Sequence, residues 1–468
     1  MNRDYLSIDP RSGEPIAGTP TLTPDETART IDGAARAQRH WRERSTAQRV
    51  EALRALSGAL GDARDELAGL LVREIGKPIA QSAAEVDKCR ALCDGFADQA
   101  ETLLADRRPL AGNLPARIRL RPIGVILGVM PWNFPYWQTL RFAVPNLLLG
   151  NTCLIKPAPN AALSTLALAD VVARAGLPAG TLSPLLVAES AVADVIAHPA
   201  VVGVSVTGSV TAGAAVAAVA GAAVKKVVLE LGGSDPFIVL ADADVDAAAS
   251  AAARSRLGNG GQSCVAAKRF IVERPVAEAF LAALTEQFAA QRVGDPADPR
   301  TTVGPLARAD LRDLLHSQVR ESVRAGARVL AGGEPVAGPG FYYPPTILTD
   351  VPVDAPVWRD ETFGPVAPVL VADSEQELLR LADSDEYGLG ASVWTASPER
   401  ADRLAGALDA GMVFVNEIVQ SDWRLPFGGV RRSGIGRELA ADGISEFANI
   451  QTHWHGRPSG LPSPTPQQ

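Results

Sequence analysis

Two rhythms of apolar positions divide the chain. Residues 50, 53, 56, 60, 67, 70, 71 and 75 are apolar at helical spacing up to Gly76, which predicts two consecutive helices. Upstream, Thr23-Pro-Asp-Glu26 combines a capping box with proline at the first helical position and starts another helix. Before it, Ser7 to Ile16 reads as two short strands around a Ser-Gly turn. The first hundred or so residues are therefore expected to be mostly helical. From Ile118 the period changes. Short β-rich runs at 125–130, 152–155, 201–206, 226–229 and 237–240 alternate with helical stretches such as 161–175, which Gly176 and Pro178 close. Strands alternating with helices predict a parallel sheet covered on both faces. A second alternation after Cys264 predicts a second α/β domain.

Composition changes this picture little. A chain of 468 residues, 47% hydrophobic and 21% charged, is an ordinary globular protein of two or three domains. One uncharged stretch, 201–224, is long enough to span a bilayer. Its glycines, hydroxyl residues and short apolar runs instead predict a buried strand, a Gly-rich turn and an Ala-rich helix, so no membrane is expected as a partner. The net charge of −8 and scattered basic residues argue against nucleic acid. No secretory h-region is present at the start, and cysteines are few, which points to a reducing cytoplasm. The segment 456–468, rich in Pro, Ser and Gly, is expected to be disordered.

No metal site is expected. Cys89 and Cys93 share a helix face but lack zinc-ligand spacing, and Cys153 sits in an apolar strand as a small core residue. None of the five histidines lies in a motif, and His453-x-His455 reads as two exposed residues.

Three segments carry candidate chemistry: Pro131-Trp-Asn-Phe-Pro135, Leu229-Glu-Leu-Gly-Gly233 and Gly261-Gln-Ser-Cys264. The first two follow strands, where open α/β sheets bind ligands, and the third is a Gly-rich loop. Cys264 is a candidate nucleophile, because its flanks offer backbone amides to a thiolate and an oxyanion, although a lone cysteine is more often a buried structural one. Glu230 is a candidate base if it ends a buried strand and points into a cleft, where burial raises its pKa; taken alone it is equally an exposed carboxylate. Asn133 is either an amide donor to an oxyanion or a turn residue. Residues 206–213 form a strand and Gly-rich turn opening a helix, which suits a pyrophosphate but is not the G-x-G-x-x-G fingerprint. Lys156, before Pro157, suits a ribose hydroxyl or phosphate, or is simply solvated.

Taken in order, with Glu230 34 residues before Cys264, these three motifs resemble the aldehyde dehydrogenase superfamily. Gly208-Ser209, Glu361-Thr-Phe-Gly-Pro365, Met412-Val-Phe-Val-Asn416 and Pro426-Phe-Gly-Gly429 extend the resemblance from about residue 8 to 454. It implies an α/β, aldehyde dehydrogenase-like fold with two parallel-sheet domains and a protruding β arm for oligomerisation. Residues 1–103 and 123–229 would form the cofactor domain, 104–122 and 444–458 the arm, 230–443 the catalytic domain and 459–468 a tail. It implies that Cys264 attacks an aldehyde while Asn133 and the Cys264 amide hold the oxyanion. Hydride then passes to a nicotinamide, and Glu230 activates the water that hydrolyses the thioester. Lys156 and Glu361 would bind the riboses, Phe363 the nicotinamide side and Ser209 the pyrophosphate, with Trp132, Pro159, Gly208 and Leu231 completing the cofactor site. NAD-selective relatives carry Glu where this chain has Pro159, so NADP is expected as well as NAD. A homodimer or homotetramer is implied.

Within the superfamily the resemblance is to bacterial succinate-semialdehyde dehydrogenases, carried by Glu74-Ile-Gly-Lys-Pro78, Glu230-Leu-Gly-Gly-Ser-Asp-Pro-Phe237, Cys264-Val-Ala-Ala-Lys-Arg-Phe270 and Ser421-Asp-Trp-Arg-Leu-Pro-Phe427. It implies that Arg141 and Ser421 contact the substrate carboxylate, with Trp137 and Phe427 nearby; the alternative for Arg141 is an internal salt bridge. Departures are Gly258 where some members have a second arginine, Trp423, Glu417-Ile418, and Ala266 in place of a redox-switch cysteine. Trp423 is expected to reshape the substrate tunnel. The alternatives are another ω-carboxy or polar aldehyde, a CoA-acylating relative, which typically lacks the glutamate that Glu230 supplies, and an inactive binding protein of the same fold.

Overall fold

The strand-helix alternation after residue 118 builds two sheets in the computed structural model, which describes residues 5–110 and 114–456. The first sheet runs in the order Gly434–Ile435, Lys226–Glu230, Val201–Thr207, Val125–Met130, Thr152–Pro157 and Leu182–Pro184. All its neighbours are parallel except Gly434–Ile435, which returns from the far end of the chain to pair antiparallel with Lys226–Glu230. The second sheet has the order Arg328–Ala331, Thr346–Thr349, Val366–Ala372, Arg269–Glu273, Pro236–Val239, Gly390–Trp394 and Met412–Val415. It too is parallel apart from its first pair. Strands Thr152–Pro157 and Pro236–Val239 are buried along their whole length, as strands covered on both faces must be, and hence read as unbroken apolar runs.

The sequence-derived elements sit close to their expected places. Thr23 caps the helix Pro24–Trp41 with the reciprocal Glu26 bonds of a capping box. The two consecutive helices are Thr46–Asp62 and Arg64–Ile75, and Gly76 ends the second at φ 78°. The uncharged stretch divides into strand Val201–Thr207 and helix Val210–Ala222, and among the described residues no helix is long and apolar enough to cross a membrane. Strands Ala116–Pro122 and Ala448–Trp454 pair antiparallel as a two-stranded ribbon carrying exposed Ile450 and Trp454. Cys89, Cys93 and Cys153 are buried free thiols, and no cluster suited to a metal occurs among the described residues. The expected disordered tail, 459–468, lies outside the described residues.

Two buried carboxylates fix the helices that matter for the site. Glu74 accepts from the Leu163 and Ser164 amides and from the hydroxyls of Ser7 and Ser164, holding the first turn of Ala162–Arg174. Glu85 accepts from the amides of Tyr136 and Trp137, the first turn of the fully buried helix Pro135–Leu149. An anion there meets the positive end of the helix dipole. Lys77 pairs with Glu85 and lies 3.8 Å from the centroid of the Phe134 ring. A buried ion pair thus anchors the turn that carries Asn133.

Candidate active site

Strand Val125–Met130 delivers Asn133 to the carboxyl edge of the first sheet, and the next-but-one strand, Lys226–Glu230, delivers Glu230 to the same edge. The Gly-rich loop brings Cys264 to meet them. Asn133 donates its amide to the Gln262 carbonyl at 3.0 Å, and Asn259 donates to the Asn133 carbonyl at 2.8 Å. Gly261 has φ +75°, and a Cβ there would lie 2.3 Å from the Gly364 carbonyl oxygen, so the loop closes only with glycine. Arg256, fully buried, donates to the carbonyls of Gly261, Thr362 and Gly364 and thereby ties this loop to residues 361–365.

Asn133, Glu230 and Cys264 line one pocket of about 180 Å³ with Trp132, Thr207, Gly208, Ser209, Leu231, Glu361 and Phe363. Loss of water around Cys264 pushes its thiol up to about 11, against the pull of Arg141 and Lys268. Glu230 is 2% exposed, and neither carboxyl oxygen has a hydrogen-bond partner among the described residues. Burial, reinforced by Glu438, raises its pKa well above the usual carboxylate range. Gly428 makes room for it: a Cβ there would lie 2.5 Å from Glu230 Oε1. The strand-end, cleft-facing reading of Glu230 is the one the fold adopts.

Six of the eight expected cofactor residues line this pocket. Trp132 and Phe363 meet edge to face, 5.7 Å between centroids. Ser209 caps the helix Val210–Ala222, accepting from Ala212 N, so free amides of that helix face the pocket. Glu361 accepts from the Gly233 amide at 3.1 Å, and Gly232 must lack a side chain because its Cβ would stand 2.4 Å from Glu361 Oε2. Lys156 and Pro159 lie outside the lining, at the end of strand Thr152–Pro157 and in the turn after it. Lys156 is buried rather than solvated, which lowers its pKa, with Glu189 opposing. A second pocket, about 560 Å³, borders the same loop through Ser263 and Val265 on either side of Cys264, with Phe134, Ile418 and Val419 across from them. Glu417, one of the departures, pairs with Arg254 near it.

The expected substrate residues lie beside this pocket, and Arg141 reaches its lining at Thr207. Arg141 has an internal carboxylate: its Nε pairs with Glu438, its Nη2 donates to Thr207 Oγ1 at 3.4 Å, and its guanidinium lies over the Phe427 ring. The two paired side chains are only 2% and 6% exposed. A substrate carboxylate would meet Arg141 only in competition with Glu438, which comes from some 300 residues away in sequence and so gave no local signal. Ser421 accepts from Lys88 Nζ at 2.8 Å, and Trp137 places its ring beneath that ammonium. Trp423 is packed against a helix rather than free. Its ring packs on Gly95, where a Cβ would be 2.4 Å away, and against Phe96. Glu438→Ala would leave a buried guanidinium unpaired and is expected to lower stability by about 3–5 kcal/mol. Urea unfolding checks this; a loss below about 1 kcal/mol would mean that solvent or another group replaces Glu438.

Sequence reasoning missed four residues: Lys88, Arg256, Lys268 and Glu438. Lys268 is fully buried, donates to the Cys264 carbonyl at 2.6 Å and pairs with Glu361 at 3.1 Å, linking the candidate nucleophile to a residue expected to bind ribose. A Lys-Arg pair beginning four residues after the candidate nucleophile, between apolar residues, was the available signal.

Comparison with known proteins agrees with this geometry. Residues 2–453 match the model of the aldehyde dehydrogenase family. The chain is 46% identical over 452 residues to the succinate semialdehyde dehydrogenase [NAD(P)+] of Escherichia coli (strain K12), covering 97% of this chain and 98% of that one. It is 45% identical over 448 residues to a probable succinate-semialdehyde dehydrogenase [NADP(+)] of Synechocystis, covering 96% and 99%. The solved structure of succinic semialdehyde dehydrogenase from Streptococcus pyogenes in complex with NADP+ superposes with a TM-score of 0.94 at 35% identity, over 97% of this chain and all of the other. With its motifs, fold and full-length relatives in accord, this chain belongs to the aldehyde dehydrogenase family.

Proposed function

We propose that the protein oxidises succinate semialdehyde to succinate, with NADP or NAD as acceptor, through a thioester on Cys264. The observation that carries the chemistry is that Cys264, Asn133 and a buried Glu230, without a hydrogen-bond partner among the described residues, line a single pocket. The substrate reading is supported by full-length relatives that carry this activity in their names. The pocket suits a dinucleotide: it offers a helix N-terminus at Ser209, the Trp132–Phe363 pair, Glu361 for ribose hydroxyls, and open space beside Gly208, where a Cβ would touch nothing within 4 Å. When bound, the nicotinamide supplies the hydride acceptor.

The chain's own groups do the rest. Cys264 adds as thiolate to the aldehyde carbon. The Asn133 amide and the Cys264 backbone N–H hold the resulting oxyanion, fixed in place by the Gln262 and Asn259 contacts. After oxidation the acyl group is a thioester on Cys264, and Glu230, once ionised, takes a proton from the attacking water. A carboxylate at position 230 favours water over an external thiol as acceptor and so speaks for hydrolysis rather than CoA acylation. Lys156 reaches the adenosine ribose, and Pro159 beside it neither accepts from a 2′-hydroxyl nor repels a 2′-phosphate, so NADP is accepted. The ribbon Ala116–Pro122 with Ala448–Trp454 supplies a surface for a homodimer or homotetramer, working in the cytoplasm.

Steady-state kinetics with succinate semialdehyde and butanal, each with NAD and NADP, test this reading. Succinate semialdehyde is expected to exceed butanal in kcat/KM by at least about tenfold, and NADP to reach at least about a hundredth of the NAD value. Equal efficiency on the two aldehydes would overturn the substrate, and failure with NADP would mean that a residue other than the one at 159 rejects the phosphate.

A further inference from the structure

Lys88 is a cation set beside the expected substrate residues Ser421 and Trp137. It lies on the helix Ile79–Asp98, one turn after Glu85, half-buried among that helix, the helix Pro135–Leu149 and the loop at 421–423. Its ammonium donates to Ser421 Oγ at 2.8 Å and sits 4.2 Å from the centroid of the Trp137 ring. Among the described residues it has no ion-pair partner. The anions around it are already engaged, Glu85 with Lys77 and Asp422 with Arg424, and Arg141 on the facing helix is a second cation with its own Glu438. Burial pushes the Lys88 ammonium down to about 8, and Arg141 adds to the fall, while Cys89 and Glu85 on its own helix and Asp422 on the loop oppose it. A second donor is also unmet: the Trp137 indole N–H is buried without an acceptor among the described residues.

A desolvated ammonium that touches only a hydroxyl and an aromatic face, beside an unused N–H, is an arrangement that an anion completes. Its place suits the reaction as well. Trp137 lies in the first turn of the helix Pro135–Leu149, just after the turn that carries Asn133, and its neighbour Gln138 lines the pocket that holds Cys264. We propose that Lys88, together with Ser421 and Trp137, binds the far carboxylate of a short ω-carboxy aldehyde and so sets the substrate class. This rests on the aldehyde-oxidising reading above and moves the charge recognition from Arg141, which Glu438 occupies, to a lysine on a different helix.

The test is the ratio of kcat/KM for succinate semialdehyde to that for butanal, followed from about pH 6.5 to 9.5 in wild type, Lys88→Met and Lys88→Arg. Chemistry at Cys264 and Glu230 is common to both aldehydes and cancels in the ratio. Because kcat/KM reports ionisation of the free enzyme, the wild-type ratio is expected to fall as pH passes about 8, where Lys88 loses its proton. Lys88→Met is expected to lower the ratio about 10- to 100-fold at neutral pH and to flatten its profile. Lys88→Arg is expected to restore the ratio and hold it through the alkaline range. If the methionine variant does not fold, the arginine variant decides alone: a fall like that of wild type overturns the inference, and a level ratio supports it. A wild-type preference for succinate semialdehyde that survives unchanged in both variants overturns the role of Lys88 and leaves the proposed function standing. A wild type with no such preference overturns the substrate reading itself.

Discussion

Cys264→Ala is expected to abolish aldehyde oxidation, with a loss of at least about 10⁵-fold, the scale seen when a covalent nucleophile is removed. No thioester can form without the sulfur, and no other thiol can substitute, since Cys89, Cys93 and Cys153 are buried. The same burial makes the wild-type sulfur separately measurable. Iodoacetamide labelling of the native enzyme without cofactor reports Cys264 alone, and the thiolate is the reactive form. With the thiol pushed up to about 11, labelling is expected to rise roughly tenfold for each pH unit across the neutral and mildly alkaline range. A plateau below about pH 8 would mean that the resting thiol is already ionised, and that Lys268 and Arg141 outweigh the desolvation.

Glu230→Gln is expected to transfer hydride once and then stall. The glutamine keeps the size of the side chain but cannot take a proton from water, so the acyl group stays on Cys264. Rapid mixing should show a burst of reduced cofactor near one per site, followed by steady turnover lowered about 10²- to 10⁴-fold. Mass spectrometry of the quenched protein should find the acyl adduct. The wild-type deacylation rate should rise with pH, because a carboxylic acid whose pKa burial has raised is protonated and idle below that pKa and becomes a base above it. The glutamine variant should show no such rise. Uninhibited steady turnover in Glu230→Gln would remove Glu230 from the hydrolytic step.

What could be read from the sequence was what is local or repeated. The apolar period marked the helices Thr46–Asp62 and Arg64–Ile75, and the alternation after residue 118 marked the strands of the first sheet. Cys264, Glu230 and Asn133 were legible because each follows or sits in a short motif that a strand end or a Gly-rich loop presents. Long-range partners were not. Arg141 meets Glu438, and Lys88 meets Ser421 across 333 residues, so neither pairing leaves a pattern in the flanking sequence. Lys156 shows the same limit from the other side: the expectation of a ribose ligand did not foresee that Glu189 would lie near enough to act on it. The seat of the Trp423 ring is likewise illegible locally, because the glycine that receives it is on a helix far upstream.

That glycine has an evolutionary consequence. Gly95 sits inside a helix, where it costs about 0.5–1 kcal/mol relative to alanine. Its missing methyl is the socket for an indole, and the indole belongs to the loop that also carries Ser421. Neither position can drift alone. A larger residue at 95 would expel the ring and shift the loop, and a smaller one at 423 would leave the helix weakened with nothing gained. The two positions should change hands together across descendants of this chain, and a lineage that exchanges the pair would reset the loop that carries Ser421 in one paired step.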